Sequence, residues 1–131
     1  MARRHRYITP LALLLSLGGL NGCILAAAGA GAAGAIAYNN RGASSDIAAS
    51  VDSTFTRSVN AFSALKIAET GRGTENDGAT RRLMGKQEGL EITVEMKRST
   101  PAVTKVEVIA RRSAVDYDPD FAKTVLNRIL Q

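Results

Sequence analysis

The amino-acid sequence predicts an α+β fold, in which an antiparallel sheet of about four to five strands carries two helices on one face. Two runs, at residues 90–97 and 105–111, alternate strictly between apolar and polar side chains, which predicts strands with one buried and one wet face. Two other segments, at 52–65 and 119–130, repeat apolar residues at helical spacing. The predicted order is β-α-β-β-β-β-α, in one domain that spans residues 44–131.

The first strand and the first helix lie directly after residue 42. Residues 43–51 alternate between apolar and more polar side chains, which predicts a weak strand. Asp52 is of the type that caps a helix. The apolar residues that follow it at helical spacing are Phe55, Val59, Phe62 and Leu65. We expect this stripe to be buried and the opposite face, with Arg57 and Asn60, to be solvated.

The sequence pattern in the middle of the domain predicts a meander of strands. Residues 67–85 contain glycines and the turn sequence Asn76, Asp77, Gly78, and they predict a hairpin of two weak strands. The alternating runs 90–97 and 105–111 form the next pair, joined by a turn at 99–101.

The register of that second pair is predicted from charge. Pairing Val94 with Val106 sets Glu95 opposite Lys105, whereas pairing Met96 with Val106 sets Glu95 against Glu107 and Lys97 against Lys105. Because like charges directly opposite each other destabilise a sheet, we expect the first register.

The last element is a C-terminal helix. Asp118 is expected to cap it, with Pro119 at the first helical position. Its apolar residues at helical spacing are Phe121, Ala122, Val125, Leu126, Ile129 and Leu130.

The N-terminal part has the order of a secretory signal peptide. Three basic residues, Arg3, Arg4 and Arg6, precede ten uncharged residues at 11–20. Removal of this segment lowers the formal net charge from +5 to +2, because it takes three of the seventeen basic residues and none of the twelve acidic ones.

The tetrad Leu20, Asn21, Gly22, Cys23 resembles the bacterial lipobox, in which a signal peptidase cuts before a cysteine that carries a diacylglyceryl group. A thiolate is the nucleophile that can accept such a lipid. Asn21 departs from the small or aliphatic residue that is usual at its position. The sequence predicts a signal peptide over residues 1–22, cleavage between Gly22 and Cys23, and lipidation of Cys23.

Localisation follows from the same segment. The basic N-terminus stays in the cytoplasm by the positive-inside preference, so the domain faces the periplasm. Ile24 follows the cysteine where Asp would stand in a protein kept at the inner membrane, and by resemblance to enterobacterial sorting this favours the outer membrane. An uncleaved anchor is the alternative, because residues 11–37 carry no charge and a helix of that length would reach about 40 Å, enough to span a bilayer.

Residues 23–43 are expected to be a Gly/Ala-rich tether, since eleven of the twelve residues at 26–37 are Ala or Gly. Gly29, Gly31 and Gly34 match a dinucleotide-binding fingerprint, but no strand-to-helix context surrounds them, and no cofactor is predicted. Small residues four apart, as in Ala26, Ala30 and Gly34, also occur where membrane helices pack closely. Self-association through this segment is therefore an alternative function.

Composition excludes several kinds of catalysis. The single His is His5 and the single Cys is Cys23, so the mature chain lacks imidazole. Ser/His/Asp and Cys/His catalysis and His-ligated zinc are therefore excluded.

Three groups of charged residues remain as candidate sites. Asp116, Asp118 and Asp120 have the spacing of a calcium loop, but they lack its glycine and its final glutamate, and helix capping explains them. The carboxylates Glu91, Glu95 and Glu107 are expected to form cross-strand ion pairs with Lys105 and Arg111. The basic doublets 81–82, 97–98 and 111–112 are expected to be solvated, with contact to anionic lipid headgroups or cell-wall polymers as the alternative.

Nearly the whole chain resembles a family of small bacterial envelope lipoproteins of unknown function. The matching features are Cys23, the Gly/Ala block at 26–37, the helix start at Val51, Asp52 and Ser53, the strand at 90–96 and the helix at 119–130. The resemblance implies location and fold and brings no catalytic residue. The predicted function is a lipid-anchored, non-enzymatic structural or interaction module with an envelope protein or polymer as partner, without cofactor, metal or nucleic acid; a histidine-free enzyme is the minor alternative.

Overall fold

A computed structural model describes residues 35–131 of the chain. The elements are β1 (Ala37–Tyr38), β2 (Gly42–Ile47), α1 (Val51–Ala64), β3 (Ala68–Glu75), β4 (Thr80–Gln87), β5 (Leu90–Thr100), β6 (Val103–Arg111) and α2 (Pro119–Leu130), with a 3₁₀ turn at Asn76–Gly78 between β3 and β4. The predicted α+β class and the order of helices and strands are confirmed.

The strands form one antiparallel sheet in the order β1-β2-β6-β5-β4-β3. The count is six rather than four to five, because β1 pairs with β2 through Ala37 opposite Ser44 and Tyr38 opposite Ala43. This strand lies within the range predicted as tether, and β2 also begins before residue 44. Backbone pairing therefore brings the last residues of the Gly/Ala-rich range into the sheet.

Both helices cover the same face of the sheet, as predicted. α2 packs on β2 and β6, α1 packs on β4 and β5, and the two helices contact each other. We call α1 and α2 together the helix layer, and the sheet face turned away from them the open face. The core between helix layer and sheet is apolar, and its fully buried large side chains include Leu83, Ile92, Met96, Val108, Leu126 and Ile129.

Helix α1 begins one residue earlier than its predicted cap. Ser50 is the N-cap, and its Oγ accepts a hydrogen bond from the backbone N–H of Ser53 at 3.2 Å. Asp52 is not the cap; it lies in the first turn, where a carboxylate interacts favourably with the positive end of the helix dipole. Of the predicted stripe, Phe55 and Phe62 are buried, while Val59 and Leu65 are half-buried.

The predicted hairpin at 67–85 is confirmed as β3 and β4, joined through Asn76, Asp77 and Gly78. Asn76, Asp77 and Gly78 all have positive φ, a conformation that Asn, Asp and Gly tolerate best. A bulge interrupts the pairing between Glu69 and Gly71.

The charge-based register of β5 and β6 is wrong. The structure pairs Met96 with Val106, which sets Glu95 against Glu107 and Lys97 against Lys105. Both registers keep the same residues on the buried face, because they differ by two positions. The prediction failed because Glu95 takes its cation from Arg82 of β4 and not from β6. At the turn Thr100 pairs with Val103, so the loop is only Pro101 and Ala102, and a bulge lies between Arg98 and Thr100.

Helix α2 follows its prediction. Asp118 is the N-cap, accepting a hydrogen bond from the Phe121 N–H at 2.9 Å, and Pro119 occupies the first turn. Four of the six predicted apolar residues are fully buried, namely Ala122, Val125, Leu126 and Ile129, and Phe121 and Leu130 pack partly against the core.

Candidate functional site

Several predicted sites lie outside the described residues. These are the cleavage and lipidation positions Gly22 and Cys23, and the glycine pattern Gly29, Gly31 and Gly34. Within residues 35–131, no helix is long and apolar enough to cross a membrane.

The first described strand connects directly to the helix layer. The Tyr38 hydroxyl of β1 donates a hydrogen bond to Asp120 Oδ1 of α2 at 2.5 Å. Lys123 Nζ lies 5.7 Å from the centroid of the Tyr38 ring, within the range of a cation–π contact. The hydrogen bond to Asp120, followed by desolvation and the negative charges of Asp120 and Asp118, raises the pKa of Tyr38 above its ordinary value. The side of the sheet at which the chain enters the fold is thus attached to α2.

The three aspartates with calcium-loop spacing have separate structural roles. Asp118 caps α2 and also pairs with Arg112 at 3.3 Å, and Asp120 accepts from Tyr38. The backbone carbonyl of Asp116 accepts from the Arg112 N–H at 2.8 Å. In the described part of the chain, no three His, Cys, Asp or Glu side chains are grouped closely enough to hold a metal ion.

The open face carries the predicted carboxylates. Glu91 lies 3.3 Å from Arg111 and 3.8 Å from Lys86. Glu95 does not pair with Lys105; its carboxylate binds Arg82 of β4 at 2.7 Å. Arg82 also reaches Glu75 at 3.2 Å, and these two carboxylates raise the pKa of its guanidinium, chiefly through the hydrogen bond to Glu95.

Charge on the open face is balanced. Its residues in β2 to β6 include five cations and five carboxylates, which are Arg82, Lys86, Lys97, Lys105 and Arg111, and Asp46, Glu75, Glu91, Glu95 and Glu107. Half-buried Met84, Thr93 and Ile109 form a row across its centre, because Met84 pairs with Thr93 and Thr93 with Ile109. The open face therefore has a weakly apolar centre with a balanced charged surround.

The basic doublets do not form one patch, because successive residues of a strand point to opposite faces. Arg81 turns toward the helix layer, where its guanidinium carbon lies 3.6 Å from the Phe55 ring centroid and its Nη1 lies 2.9 Å from Asp52 Oδ1. Its neighbour Arg82 lies on the open face. Arg111 pairs with Glu91, while Arg112 pairs with Asp118.

The helix layer contains cations that sequence reasoning did not single out as a site. A groove of about 340 Å³ between α1 and α2, here called the interhelical groove, is lined by Arg57, Asn60, Ala61, Arg128, Ile129 and Gln131. Arg57 is half-buried. Arg128 Nη1 donates a hydrogen bond to Gln131 Oε1 at 2.8 Å. The polar face of α1 predicted from helical spacing already contained Arg57 and Asn60, but sequence spacing does not show that Arg128 lies across from them.

A second groove, of about 460 Å³, lies at the end of the β4–β5 hairpin. Its charged lining residues are Lys86, Glu91, Arg111 and Arg112. Glu91 already bridges two of these cations, and Arg112 binds Asp118. The cations of this groove therefore have carboxylate partners within the chain, whereas Arg57 and Arg128 of the interhelical groove have none within 4.0 Å among the described residues.

The sequence matches no protein-family model and no curated protein. Residues 35–131 contain neither His nor Cys, and their grooves offer guanidinium, ammonium, carboxylate and amide groups. Such groups bind charged partners through ion pairs and hydrogen bonds.

Proposed function

We propose that the chain is a lipid-anchored protein of the bacterial envelope, attached through an acylated Cys23, and that its α+β domain is a structural or interaction module rather than an enzyme. The observation that carries the proposal is the lipobox tetrad ending at Cys23. The domain faces the periplasm, and Ile24 favours the outer membrane over the inner one.

The distance from anchor to domain supports this arrangement. Ala35 lies only twelve positions after Cys23, and an extended chain spans at most about 3.6 Å per residue. The first described residue therefore lies no more than about 43 Å from the acylated cysteine. β1 is hydrogen-bonded to β2, and Tyr38 is hydrogen-bonded to Asp120 of α2. The tether therefore joins the folded domain at β1.

The open face supports the interaction role. Helices cover one side of the sheet, and the other side presents the row of Met84, Thr93 and Ile109 within a balanced set of charges. A surface of this kind suits a polar protein or polymer partner, because its ion pairs can exchange for contacts across an interface.

Metabolic labelling with an alkyne-tagged palmitate tests the anchor. The parent chain is expected to incorporate the label and to float with membranes. Cys23→Ser is expected to lose the label, while Ser44→Ala, which keeps the cysteine, controls for expression. Absence of label in the parent chain would overturn the proposal.

Cross-linking in detergent tests the self-associating alternative. If the tether only connects lipid and domain, replacing Gly31 and Gly34 by Leu leaves the cross-linked species unchanged. Loss of a cross-linked dimer in that double variant would favour helix packing by the Gly/Ala-rich segment.

Photo-cross-linking in intact cells tests the interaction face. A photoreactive amino acid at Thr93, on the open face, is expected to capture an envelope protein or polymer. The matched position is Thr124, which is exposed on α2. Equal capture at both positions, or none at Thr93, would contradict an open-face interaction.

A further inference from the structure

The two helices carry three cations and two carboxylates, whereas the open face carries equal numbers of both. Arg57, Lys123 and Arg128 have no carboxylate oxygen within 4.0 Å among the described residues. Lys97 and Lys105 of the open face, like the cations of the helices, have no carboxylate oxygen within 4.0 Å in the described part of the chain. The two carboxylates of the helices are already engaged, since Asp52 binds Arg81 and Asp120 accepts from Tyr38. Elsewhere the exposed positions of both helices are neutral, and they include Ser53, Thr56, Asn60, Thr124 and Asn127.

Two of these cations share the interhelical groove. Arg57 and Arg128 line it from opposite helices, and Asn60 and Gln131 add amide groups. Guanidinium groups present planar sets of N–H donors that match the oxygens of a phosphate. The two guanidinium groups of the groove therefore suit the phosphate of a lipid headgroup.

The chain enters the fold next to α2. Tyr38 hydrogen-bonds to α2, and Lys123 of α2 lies over its ring. Because the tether limits the distance to the bilayer, headgroups are present near α2 at high effective concentration. The open face, with equal numbers of positive and negative groups, offers no comparable attraction to an anionic surface.

We propose that the helix layer docks on anionic phospholipid headgroups, with a headgroup phosphate in the interhelical groove. This inference rests on the lipid anchor proposed above. It orients the domain, with the helix layer toward the bilayer and the open face toward the periplasm. Each basic residue near an anionic bilayer contributes about 1 kcal/mol, a factor of about five in the docked fraction.

Lysine acetylation on vesicles tests the orientation, because the domain carries lysines on both sides. The full acylated chain is reconstituted into vesicles of phosphatidylcholine alone and into vesicles that also contain phosphatidylglycerol. Acetylation rates at Lys123, Lys97 and Lys105 are then measured by mass spectrometry. With phosphatidylglycerol, we expect Lys123 to react several-fold more slowly and Lys97 and Lys105 to react at unchanged rates.

Two matched variants identify the cause. Replacing Arg57 and Arg128 by Gln is expected to lower the ratio of docked to undocked domain about thirtyfold, which abolishes the protection of Lys123. Replacing Lys97 and Lys105 by Gln is expected to leave that protection intact. High salt, which shortens the Debye length from about 8 Å to about 3 Å, is expected to act like the arginine substitutions.

The outcomes separate the two proposals. Flotation with phosphatidylcholine vesicles reports the anchor alone, and its absence would overturn both. Flotation without any selective protection of Lys123 would overturn the docking and leave the anchor standing. Protection of Lys97 and Lys105 in place of Lys123 would also overturn it, since the open face would then face the lipid.

Discussion

On the sheet face that the helices cover, Ile92, Val94 and Val108 are essentially inaccessible to solvent. On the open face, their strand neighbours Thr93, Glu95 and Ile109 remain partly accessible. The covered face is held by apolar burial, which contributes about 25 cal/mol per Å². The open face is held by ion pairs and half-buried contacts that contribute much less each. Substitutions on the open face can therefore change a binding surface at little cost in stability, whereas substitutions on the covered face mainly lower the free energy of unfolding.

The largest difference in stability loss is expected between alanine substitutions of two isoleucines on neighbouring strands. Ile92 is 1% exposed on the covered face, and Ile109 lies half-buried on the open face. Ile92→Ala is expected to lower the free energy of unfolding by about 3 kcal/mol, because it removes buried methyl groups and leaves a cavity. Ile109→Ala is expected to cost less than about 1 kcal/mol. Urea unfolding followed by circular dichroism measures both, and equal losses would contradict the distinction between the faces.

Alanine substitutions of two glycines, one on each face, are expected to differ in their effect on stability because the space around the two glycines differs. A Cβ on Gly85 would lie 2.6 Å from Ile67, 2.7 Å from Phe62 and 2.9 Å from the Ala68 carbonyl oxygen. Gly85→Ala is therefore expected to destabilise the domain by about 1–3 kcal/mol. At Gly73, on the open face, the nearest atom to a Cβ is Arg82 Cβ at 3.5 Å, which is an ordinary contact. Gly73→Ala is expected to change stability by less than about 0.5 kcal/mol, because the gain in chain stiffness offsets small losses. Thermal unfolding of the two variants gives the difference.

A smaller effect is expected within the charge network of the open face. Arg82 lies between Glu95 and Glu75, and Glu95 faces Glu107 across the ladder. Arg82→Gln is expected to cost up to about 1 kcal/mol, since it leaves the Glu95–Glu107 pair without a cation. Glu107→Gln, added to that variant, is expected to recover most of the loss. If it destabilises the domain further, repulsion between the two glutamates is not what Arg82 offsets.

The same network explains why the register of β5 and β6 could not be predicted from charge. Sequence alternation correctly identified both strands and their buried faces. Lys105 and Glu107 both lie on β6, but Glu95 is on a central strand and has neighbours on both sides. Arg82, on β4, supplies the cation that the charge-based prediction sought in Lys105.

Caps, periodicity and turn residues in the sequence predicted those elements of the fold that neighbouring residues determine. The caps and periodicity of α2 are of this kind, and so is the turn at 76–78. Strand β1 was not predicted, because it has only two residues, Ala37 at the end of the Gly/Ala-rich run and Tyr38, and two residues show no periodicity. The interhelical groove was not predicted because Arg57 and Arg128 are seventy-one positions apart and meet only through the packing of α1 on α2. Its only sequence signal was the polar face of each helix.

The smallest expected effect is the pH dependence of the contact between β1 and α2, which depends on the hydrogen bond from Tyr38 to Asp120. This bond raises the pKa of Tyr38 above 10.0, because ionisation would remove the donated proton beside a carboxylate. An acid whose pKa is raised by folding stabilises the native state fully below its unfolded pKa, and it loses that contribution as pH rises through the folded pKa. The contact between β1 and α2 is therefore expected to persist at neutral pH and to weaken only above about pH 10.

Absorbance of tyrosinate measures this directly. Subtracting the titration curve of Tyr38→Phe from that of the parent chain isolates Tyr38 from Tyr7 and Tyr117. The isolated midpoint is expected above that of free tyrosine, and Asp120→Asn is expected to lower it because the amide carries no charge. Lys123→Gln is a matched control, expected to raise the midpoint slightly by removing a positive charge near the ring. A midpoint that does not respond to Asp120→Asn would mean that β1 is not held to α2 by this bond in solution, and the tether would then join the domain through the β1–β2 pairing alone.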